Sequence, residues 1–386
     1  MSWEAPPEPR RRWTAVVGVI AIMVAVTAAV AVLRRDGGSA ELTVDGAGVD
    51  PAGTDLDGSV AGDELVRAPL DPVETPSGGR PLPDAPELTV VIADFGSRLQ
   101  LIELSTGARR EVPVFVDGTR LRPDALQLIG GDLIYDAAGR VVRLVEGDEG
   151  APQQLAQYHR SIPTGDATSV WVYDHLTANI GGVASRIGFD GALLDQIELP
   201  ALAQPLAGTA DQLIVSTPGT ISGIDVDSGR RRQIARGQAL ASDGVRVARL
   251  DCLADLSCGV VIGTVDQPDQ VRVTLQTGDV PVGLFDVPQA QFSPDGRWLA
   301  LPVYRELDNE RLERSNVAVI DVTLGTEVDR VPGSTLTAPT TPFAWSPDSQ
   351  WLGVSTGTRM QLWSAEHGTA TELALRFPPT YAVALR

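Results

Sequence analysis

The chain has 386 residues, 43% of them hydrophobic and 21% charged, and its formal net charge of −19 comes from 50 Asp or Glu against 31 basic residues, all of which are Arg. An acidic protein of this kind repels phosphate backbones, so nucleic acid is not an expected partner. Because lysine is absent from the whole sequence, a P-loop lysine, a Schiff-base lysine and a Ser-x-x-Lys catalytic pair are all excluded.

The first predicted element is a membrane-spanning helix. Residues 14–33 carry no charge, with three arginines before them (10–12) and two after them (34 and 35). About twenty residues at 1.5 Å rise cross the roughly 30 Å hydrocarbon core. We therefore predict a transmembrane helix over 13–35, after a short cytoplasmic segment, 1–12, since the arginine excess favours an inner N-terminus. A cleaved signal peptide ending at Ala29-Val30-Ala31 is the alternative, although the apolar run is longer than is typical for one.

The second element, residues 36–85, is rich in Gly, Asp, Pro and Ala. It holds eleven Asp or Glu against Arg67 and Arg80, a net charge of −9. Low hydrophobicity with high charge predicts a disordered linker, whose root-mean-square reach is on the order of 40 Å. With −19 for the whole chain and +3 for residues 1–35, residues 86–386 carry −13. We interpret the linker as a tether and residues 86–386 as the folded domain.

The folded domain contains two near-identical segments, Phe292–Ala300 and Trp345–Gly353. Both read aromatic-Ser-Pro-Asp-x-x-Trp-Leu-small. Ser and Pro at the first two positions favour a type I turn, because Pro fixes φ near −65°. Apolar residues on both sides of the turn predict short antiparallel strands. By their position in the repeat, Trp298 and Trp351 are predicted to lie in the core.

These two segments resemble the WD40-like (PD40 or TolB-type) β-propeller repeat. The absence of lysine is typical of the GC-rich coding found in actinobacteria. A second turn signal recurs at intervals close to forty residues, which suits four-stranded blades and predicts an all-β, seven-bladed propeller. Six or eight blades, or an open β-sandwich, are the alternatives. The seven signals end at Gly107, Gly147, Gly191, Gly229, Asp269, Gly325 and Gly368.

The ends of the domain predict how the ring closes. The first unit begins at Leu88–Ala93 without a preceding inner strand, and the chain ends with Thr380–Leu385, a strand with no blade of its own. We expect the last strand to complete the first blade. Closing the ring removes open sheet edges, which otherwise invite aggregation.

The two cysteines, Cys252 and Cys258, lie at the predicted ends of neighbouring strands. A disulfide across that hairpin is predicted, and it requires an oxidising compartment. Two free buried thiols are the alternative. A zinc site is not expected, because two thiolates need two further ligands and the nearest histidine in sequence is His175.

No catalytic motif is found. The three histidines, His159, His175 and His367, do not form a His-Glu-x-x-His motif, and no Gly-x-Ser-x-Gly nucleophile turn occurs. The segment Asp225–Gly229 fails as a calcium loop, because Arg236 stands where the bidentate acid belongs. We expect no catalytic residue, no metal site and no cofactor.

The distribution of loops predicts a binding face. In a propeller the first-to-second and third-to-fourth strand turns lie on one face, and the remaining connections lie on the other. The longer predicted connections, at 174–182, 252–258, 277–288, 304–315 and 333–341, belong to the second kind, and loops of this sort often carry function. The residues predicted to lie on that face are Tyr158, His159, Asp174, His175, Tyr304 and Arg305.

Together these features predict a non-catalytic, membrane-tethered, extracytoplasmic β-propeller that acts as a protein- or ligand-binding scaffold. We expect the protein to be a monomer in the cell membrane, with an envelope protein or a cell-wall component as its partner. The alternative is a propeller enzyme, a hydrolase or lyase, that uses the central pocket of the face with the long loops. Fold alone does not support that alternative.

Overall fold

The computed structural model describes residues 87–94, 98–116, 119–120, 123–145, 148–157, 160–162, 164–174, 181–252, 258–274, 279–281, 290–306, 312–333, 343–356, 359–373 and 380–386. All of them lie in the second of two units into which the chain divides, residues 64–386. These residues form strands and turns, and none of them forms a helix that could cross a membrane. The predicted transmembrane helix at 13–35 and linker at 36–85 lie outside the described residues.

The first half of the domain forms four antiparallel blades in chain order. Blade 1 contains β1 (Thr89–Asp94), β2 (Arg98–Glu103) and β3 (Arg109–Pro113), followed by a small hairpin of β4 (Phe115–Val116) and β5 (Thr119–Arg120). Blade 2 contains β6 (Pro123–Ile129), β7 (Asp132–Ala137), β8 (Arg140–Val145) and β9 (Asp148–Gln157). Blade 3 contains β10 (Arg160–Ile162), β11 (Ser169–Tyr173), β12 (Gly182–Gly188) and β13 (Leu193–Leu199). Blade 4 contains β14 (Gln204–Gly208), β15 (Gln212–Thr217), β16 (Thr220–Asp225) and β17 (Arg231–Arg236).

Three further blades complete the ring. Blade 5 contains β18 (Gln238–Ser242), β19 (Arg246–Cys252), β20 (Cys258–Thr264) and β21 (Val271–Thr274). Blade 6 contains β22 (Asp279–Pro281), β23 (Gln291–Phe292), β24 (Trp298–Glu306), β25 (Leu312–Asp321) and β26 (Thr326–Pro332). Blade 7 contains β27 (Phe343–Trp345), β28 (Trp351–Ser355), β29 (Met360–Ser364) and β30 (Thr369–Glu372). The prediction of an all-β, seven-bladed propeller is confirmed, and the six-bladed, eight-bladed and sandwich alternatives are wrong.

The last strand, β31 (Thr380–Leu385), closes the ring as predicted. It pairs antiparallel with β1, with Leu385 opposite Val90, and supplies the fourth strand of blade 1. The backbones of Thr89 and Arg386 exchange two hydrogen bonds of 2.8 and 2.9 Å at the end of this pairing. The first strands of neighbouring blades contact each other, as β31 does with both β6 and β27. These strands therefore surround the axis, and the fourth strand of each blade forms the outer rim.

The core lies between the blades rather than at one centre, since each sheet packs its apolar face on the next. Between blades 6 and 7, the ring of Trp363 stacks edge-on against Trp298 and Trp345, with centroid separations of 5.3 and 5.9 Å. Trp298 is 5% exposed, as predicted. The prediction for Trp351 is only partly met: it is half-buried and packs at the edge of the cluster between blades 7 and 1.

The Ser-Pro-Asp segments form the turns that the sequence predicted. In blade 6, Gly296 N–H donates to the Ser293 carbonyl at 2.8 Å, which closes a four-residue turn. Ser293 Oγ donates to Asp295 Oδ1 at 2.6 Å and accepts from Trp298 N–H at 3.0 Å. The copy in blade 7 repeats these bonds, with Ser349 at φ 63° where blade 6 has glycine. The hydroxyl and the carboxylate thus fix each turn internally.

The turns and loops that join the strands lie on two opposite faces of the ring. The seven turn signals all fall between the third and fourth strands of their blades, on the same face as the Ser-Pro-Asp turns. We call this the short-turn face. The second-to-third strand connections and the blade-to-blade connections lie on the opposite face, which we call the long-loop face. It includes the connections between β11 and β12 and between β19 and β20, as predicted.

Candidate binding face

The residues predicted for binding are only partly within the described structure. Tyr158, His159 and His175 lie outside the described residues. Asp174 follows β11 directly and is half-buried at the long-loop face. The backbones of Tyr304 and Arg305 lie in β24, opposite Ser315 and Arg314 of β25. The topology therefore places Asp174 and the ends of β24 and β25 on one face, in blades 3 and 6.

The segment 304–315 was predicted as a loop, and that prediction is wrong at both ends, because residues 304–306 and 312–315 belong to strands; residues 307–311 lie outside the described residues. The ladder between β24 and β25 continues to Glu306 and Leu312, and β22 adds a third strand, pairing Asp279 with Arg305. The reason is strand pairing, since β22 supplies hydrogen-bonding partners that a solvated loop lacks. β24 has nine residues against five in β28, the equivalent strand of blade 7. Four additional residues at about 3.3 Å each extend the hairpin roughly 13 Å toward the long-loop face.

A polar cluster joins blades 2 and 3 on the long-loop face. Asp136, near the end of β7, is 6% exposed, and its two carboxylate oxygens accept the Ser161 N–H at 3.1 and 3.0 Å. Ser161 belongs to β10, the first strand of blade 3. A buried carboxylate requires such donors, because water cannot solvate it there. Asp136 therefore fixes the entry of an inner strand at the mouth of the ring.

Arg160 and Tyr173 complete this cluster from neighbouring strands. They occupy directly opposite positions of β10 and β11, which places both side chains on one face of the sheet. Burial raises the pKa of the Tyr173 hydroxyl. The positive charge of Arg160 lowers this pKa, and the negative charge of Asp136 raises it. The net direction is upward, so the phenol stays protonated at neutral pH and is available to donate a hydrogen bond. Arg160 is exposed beside it.

Asp136, Arg160 and Tyr173 are not among the residues predicted for binding. Arg160 and Tyr173 adjoin the predicted residues His159 and Asp174 in sequence. Asp136 could have been identified from the sequence, because it is an acid within the apolar run Leu133–Ala137. An acidic residue in a buried strand is uncommon unless it is paired or hydrogen-bonded, and it marks a specific contact.

The cysteines occupy a matched cross-strand position. Cys252 ends β19 and stands opposite Cys258, which begins β20. Directly opposite residues of an antiparallel ladder have Cα atoms about 4.5–5.5 Å apart, which falls within the range that disulfides bridge. The backbone register therefore fits the predicted bond at the long-loop end of blade 5.

Asp225 and His367, on the short-turn face, each form hydrogen bonds that stabilise a turn. Asp225 Oδ1 accepts from the backbone N–H and hydroxyl of Ser228 at 2.8 and 2.5 Å, and these bonds lower the pKa of Asp225. Ser364 Oγ lies 3.1 Å from His367 Nδ1 and also accepts the His367 N–H at 3.3 Å. Both arrangements are local to one turn. Within the described ranges, no group of three or more His, Cys, Asp or Glu is placed to hold a metal ion.

The described part of the long-loop face therefore carries several polar groups in defined positions. It presents a fixed carboxylate, an exposed guanidinium, a protonated phenol and a projecting hairpin. These groups donate and accept hydrogen bonds, but they do not form a pair of nucleophile and base. The arrangement is suited to recognition.

No protein-family model matches the chain, and no curated protein matches it. Several solved structures are similar to it. A functionally unknown protein from Desulfotomaculum acetoxidans DSM 771 is 12% identical with a TM-score of 0.50, and the match covers 78% of this chain and 99% of that chain. Hydrazine synthase from Kuenenia stuttgartiensis is 13% identical over 66% of this chain and 81% of that chain, with a TM-score of 0.45. AztD from Citrobacter koseri is 12% identical over 78% and 97%, with a TM-score of 0.43.

Proposed function

We propose that this chain is a non-catalytic binding scaffold whose propeller engages an envelope protein or a cell-wall component through its long-loop face. The observation that carries the proposal is the asymmetry of the ring. The short-turn face consists of tight turns that satisfy their own hydrogen bonds, whereas the long-loop face carries the polar cluster of blades 2 and 3 and the extended hairpin of blade 6.

The same proposal includes a membrane anchor at residues 13–35 and a tether at residues 36–85. Together they hold this face outside the cytoplasm. The cross-strand register of Cys252 and Cys258 supports that location, because a disulfide between them persists in an oxidising compartment. The Ser-Pro-Asp turns support the TolB-type WD40-like repeat as the kind of propeller, and the absence of lysine supports an actinobacterial source.

The test compares variants on the two faces of the full-length protein. Arg160→Gln and Asp174→Asn change the long-loop face, and Asp227→Asn, in an exposed turn of blade 4, is the control on the short-turn face. Each protein is purified from membranes in mild detergent with its cross-linked partners, which are quantified by mass spectrometry. We expect the long-loop variants to lose one specific partner that the wild type and the control retain.

Two results would contradict the proposal. Partner recovery that depends on Asp227 but not on Arg160 or Asp174 would move the interface to the other face. Turnover of a substrate that is abolished by Tyr173→Phe or Asp136→Asn would favour the enzyme alternative, since both residues lie at the mouth of the ring.

A further inference from the structure

The outer rim of blade 4 carries a dense group of arginines. Four of them fall within seven residues, in β17 and the turn before it, and all four are exposed: Arg230, Arg231, Arg232 and Arg236. β17 is the fourth strand of its blade, so its outer edge faces away from the ring axis. The group therefore forms a stripe on the rim, separate from the long-loop face.

Two of the four arginines, Arg231 and Arg236, have no acidic partner within the described part of the chain, whereas the charge of Arg230 helps to lower the pKa of Asp225 in the same turn. Arg272 of β21, the fourth strand of blade 5, pairs with Asp251 at 2.6 Å. Arg232 also pairs, with Asp266 at 2.9 Å, but both side chains remain mostly exposed. Arg230, Arg231 and Arg236 form no salt bridge within the described part of the chain, and Arg231 donates a hydrogen bond to the neutral Thr217 hydroxyl at 3.2 Å.

Protection of a sheet edge does not account for this concentration of one charge. Charged residues do keep an open edge from pairing with another chain. Other outer strands of this ring do so with acids or with mixed charges, as β13 does with Asp195 and Glu198 and β26 does with paired Glu327 and Arg330. In a domain with a net charge of −13, unpaired arginines gathered on one strand indicate a partner of opposite charge.

We propose that β17 is a binding stripe for a linear polymer that carries phosphate groups. A guanidinium group accepts a phosphate through two parallel hydrogen bonds, which lysine does not provide. Arg230, Arg231 and Arg232 lie four to six residues before Arg236, or roughly 13–20 Å away along the strand. This distance spans several repeat units of an extended polymer. The net negative charge of the domain repels a phosphate polymer, but acids beyond about 10 Å are screened at 0.1 M salt. Asp266, beside Arg232, is an acid that opposes binding at the stripe itself.

The binding test uses the full-length protein in neutral detergent and inorganic polyphosphate as the probe, with the affinity measured by titration at several salt concentrations. The Arg231→Gln/Arg236→Gln variant is expected to bind three- to tenfold more weakly. The slope of log affinity against log salt should fall by roughly 1.4, about 0.7 for each lost contact. Because both side chains are exposed, the unfolding transition should not move.

Two further variants control for charge and for geometry. Arg98→Gln/Arg359→Gln removes the same charge from exposed sites on blades 1 and 7 and is expected to bind like the wild type. Arg231→Lys/Arg236→Lys keeps the charge and should retain the salt slope while losing part of the affinity.

Several outcomes would overturn the proposal. The wild type could fail to bind polyphosphate at low salt. The Arg98 and Arg359 control could lose as much affinity as the Arg231 and Arg236 variant, or that variant could lose no affinity. Tighter binding of polyglutamate, of phosphatidylglycerol vesicles or of duplex DNA than of polyphosphate would also overturn it, since each would assign the stripe to a different partner. The test is independent of the long-loop face, so failure of either proposal leaves the other standing.

Discussion

Replacing Leu385 with alanine tests the closure of the ring. Leu385 is fully buried on β31, in the cluster between blades 7 and 1 that includes Val90, Met360 and Leu362. The change removes three carbon atoms, which at about 0.8 kcal/mol each amounts to about 2.4 kcal/mol of lost burial. The cavity adds to this, because strands of two blades surround the site and cannot collapse into it. We therefore expect a loss of about 3 kcal/mol in the free energy of unfolding.

The assay is equilibrium unfolding in urea, followed by tryptophan fluorescence. The matched control is Leu324→Ala, the same chemical change in a turn of blade 6 where the side chain is 70% exposed. Surface changes of this kind stay within about 0.5 kcal/mol. If Leu385→Ala costs no more than Leu324→Ala, then β31 does not pack against blade 7 in solution and the reasoning about closure is wrong.

Three further predictions concern turns, acid and redox conditions. Ser293→Ala should cost about 1–3 kcal/mol in urea unfolding, because it leaves the buried Trp298 N–H without its acceptor, whereas Ser228→Ala in an exposed turn should cost far less. For Asp166, burial raises the pKa, but bonds from Ser169 and Thr168 and the charge of Arg186 outweigh it and lower the pKa. A lowered pKa contributes stability that is present above the unfolded value of about 4 and is lost as pH falls through the folded value. The destabilisation by Ser169→Ala should therefore be present at pH 6 and shrink as the pH is lowered below the unfolded value. An equal effect at pH 6 and in strong acid would contradict this. Reduction of a Cys252–Cys258 bond should lower the free energy of unfolding by about 2 kcal/mol. Two alkylatable thiols in unreduced protein would show that the disulfide does not form.

Much of the fold was predictable from local signals. Ser, Pro, Asp and Gly set turn geometry within a few residues, so the Ser-Pro-Asp turns and the six later turns that the structure describes could be located from the sequence. The missing first strand of blade 1 and the unpaired last strand predicted the pairing of β1 with β31. The length of the blade 6 hairpin was not predictable, since β24 is extended by pairing with β22, whose segment carries no strong strand signal.

The candidate site was predictable only in outline. The sequence placed binding residues at the ends of β11 and β24, but it did not relate Asp136 to Ser161, which is 25 positions away. Likewise, the arginines of β17 are visible as a run, whereas their exposure on an outer edge, and the lack of a salt bridge at Arg231 and Arg236, depend on the neighbouring strands and turns.

By itself, the sequence determined the modular all-β ring, its seven units, its closure and the division into a short-turn and a long-loop face. These follow from turn chemistry and from the recurrence of one short unit, which are local properties of the chain. The tertiary structure alone decided which polar groups meet across blades 2 and 3, how far the blade 6 hairpin extends, and which arginines remain unpaired on the rim. Those outcomes depend on contacts between residues far apart in sequence, which form only when neighbouring blades pack together.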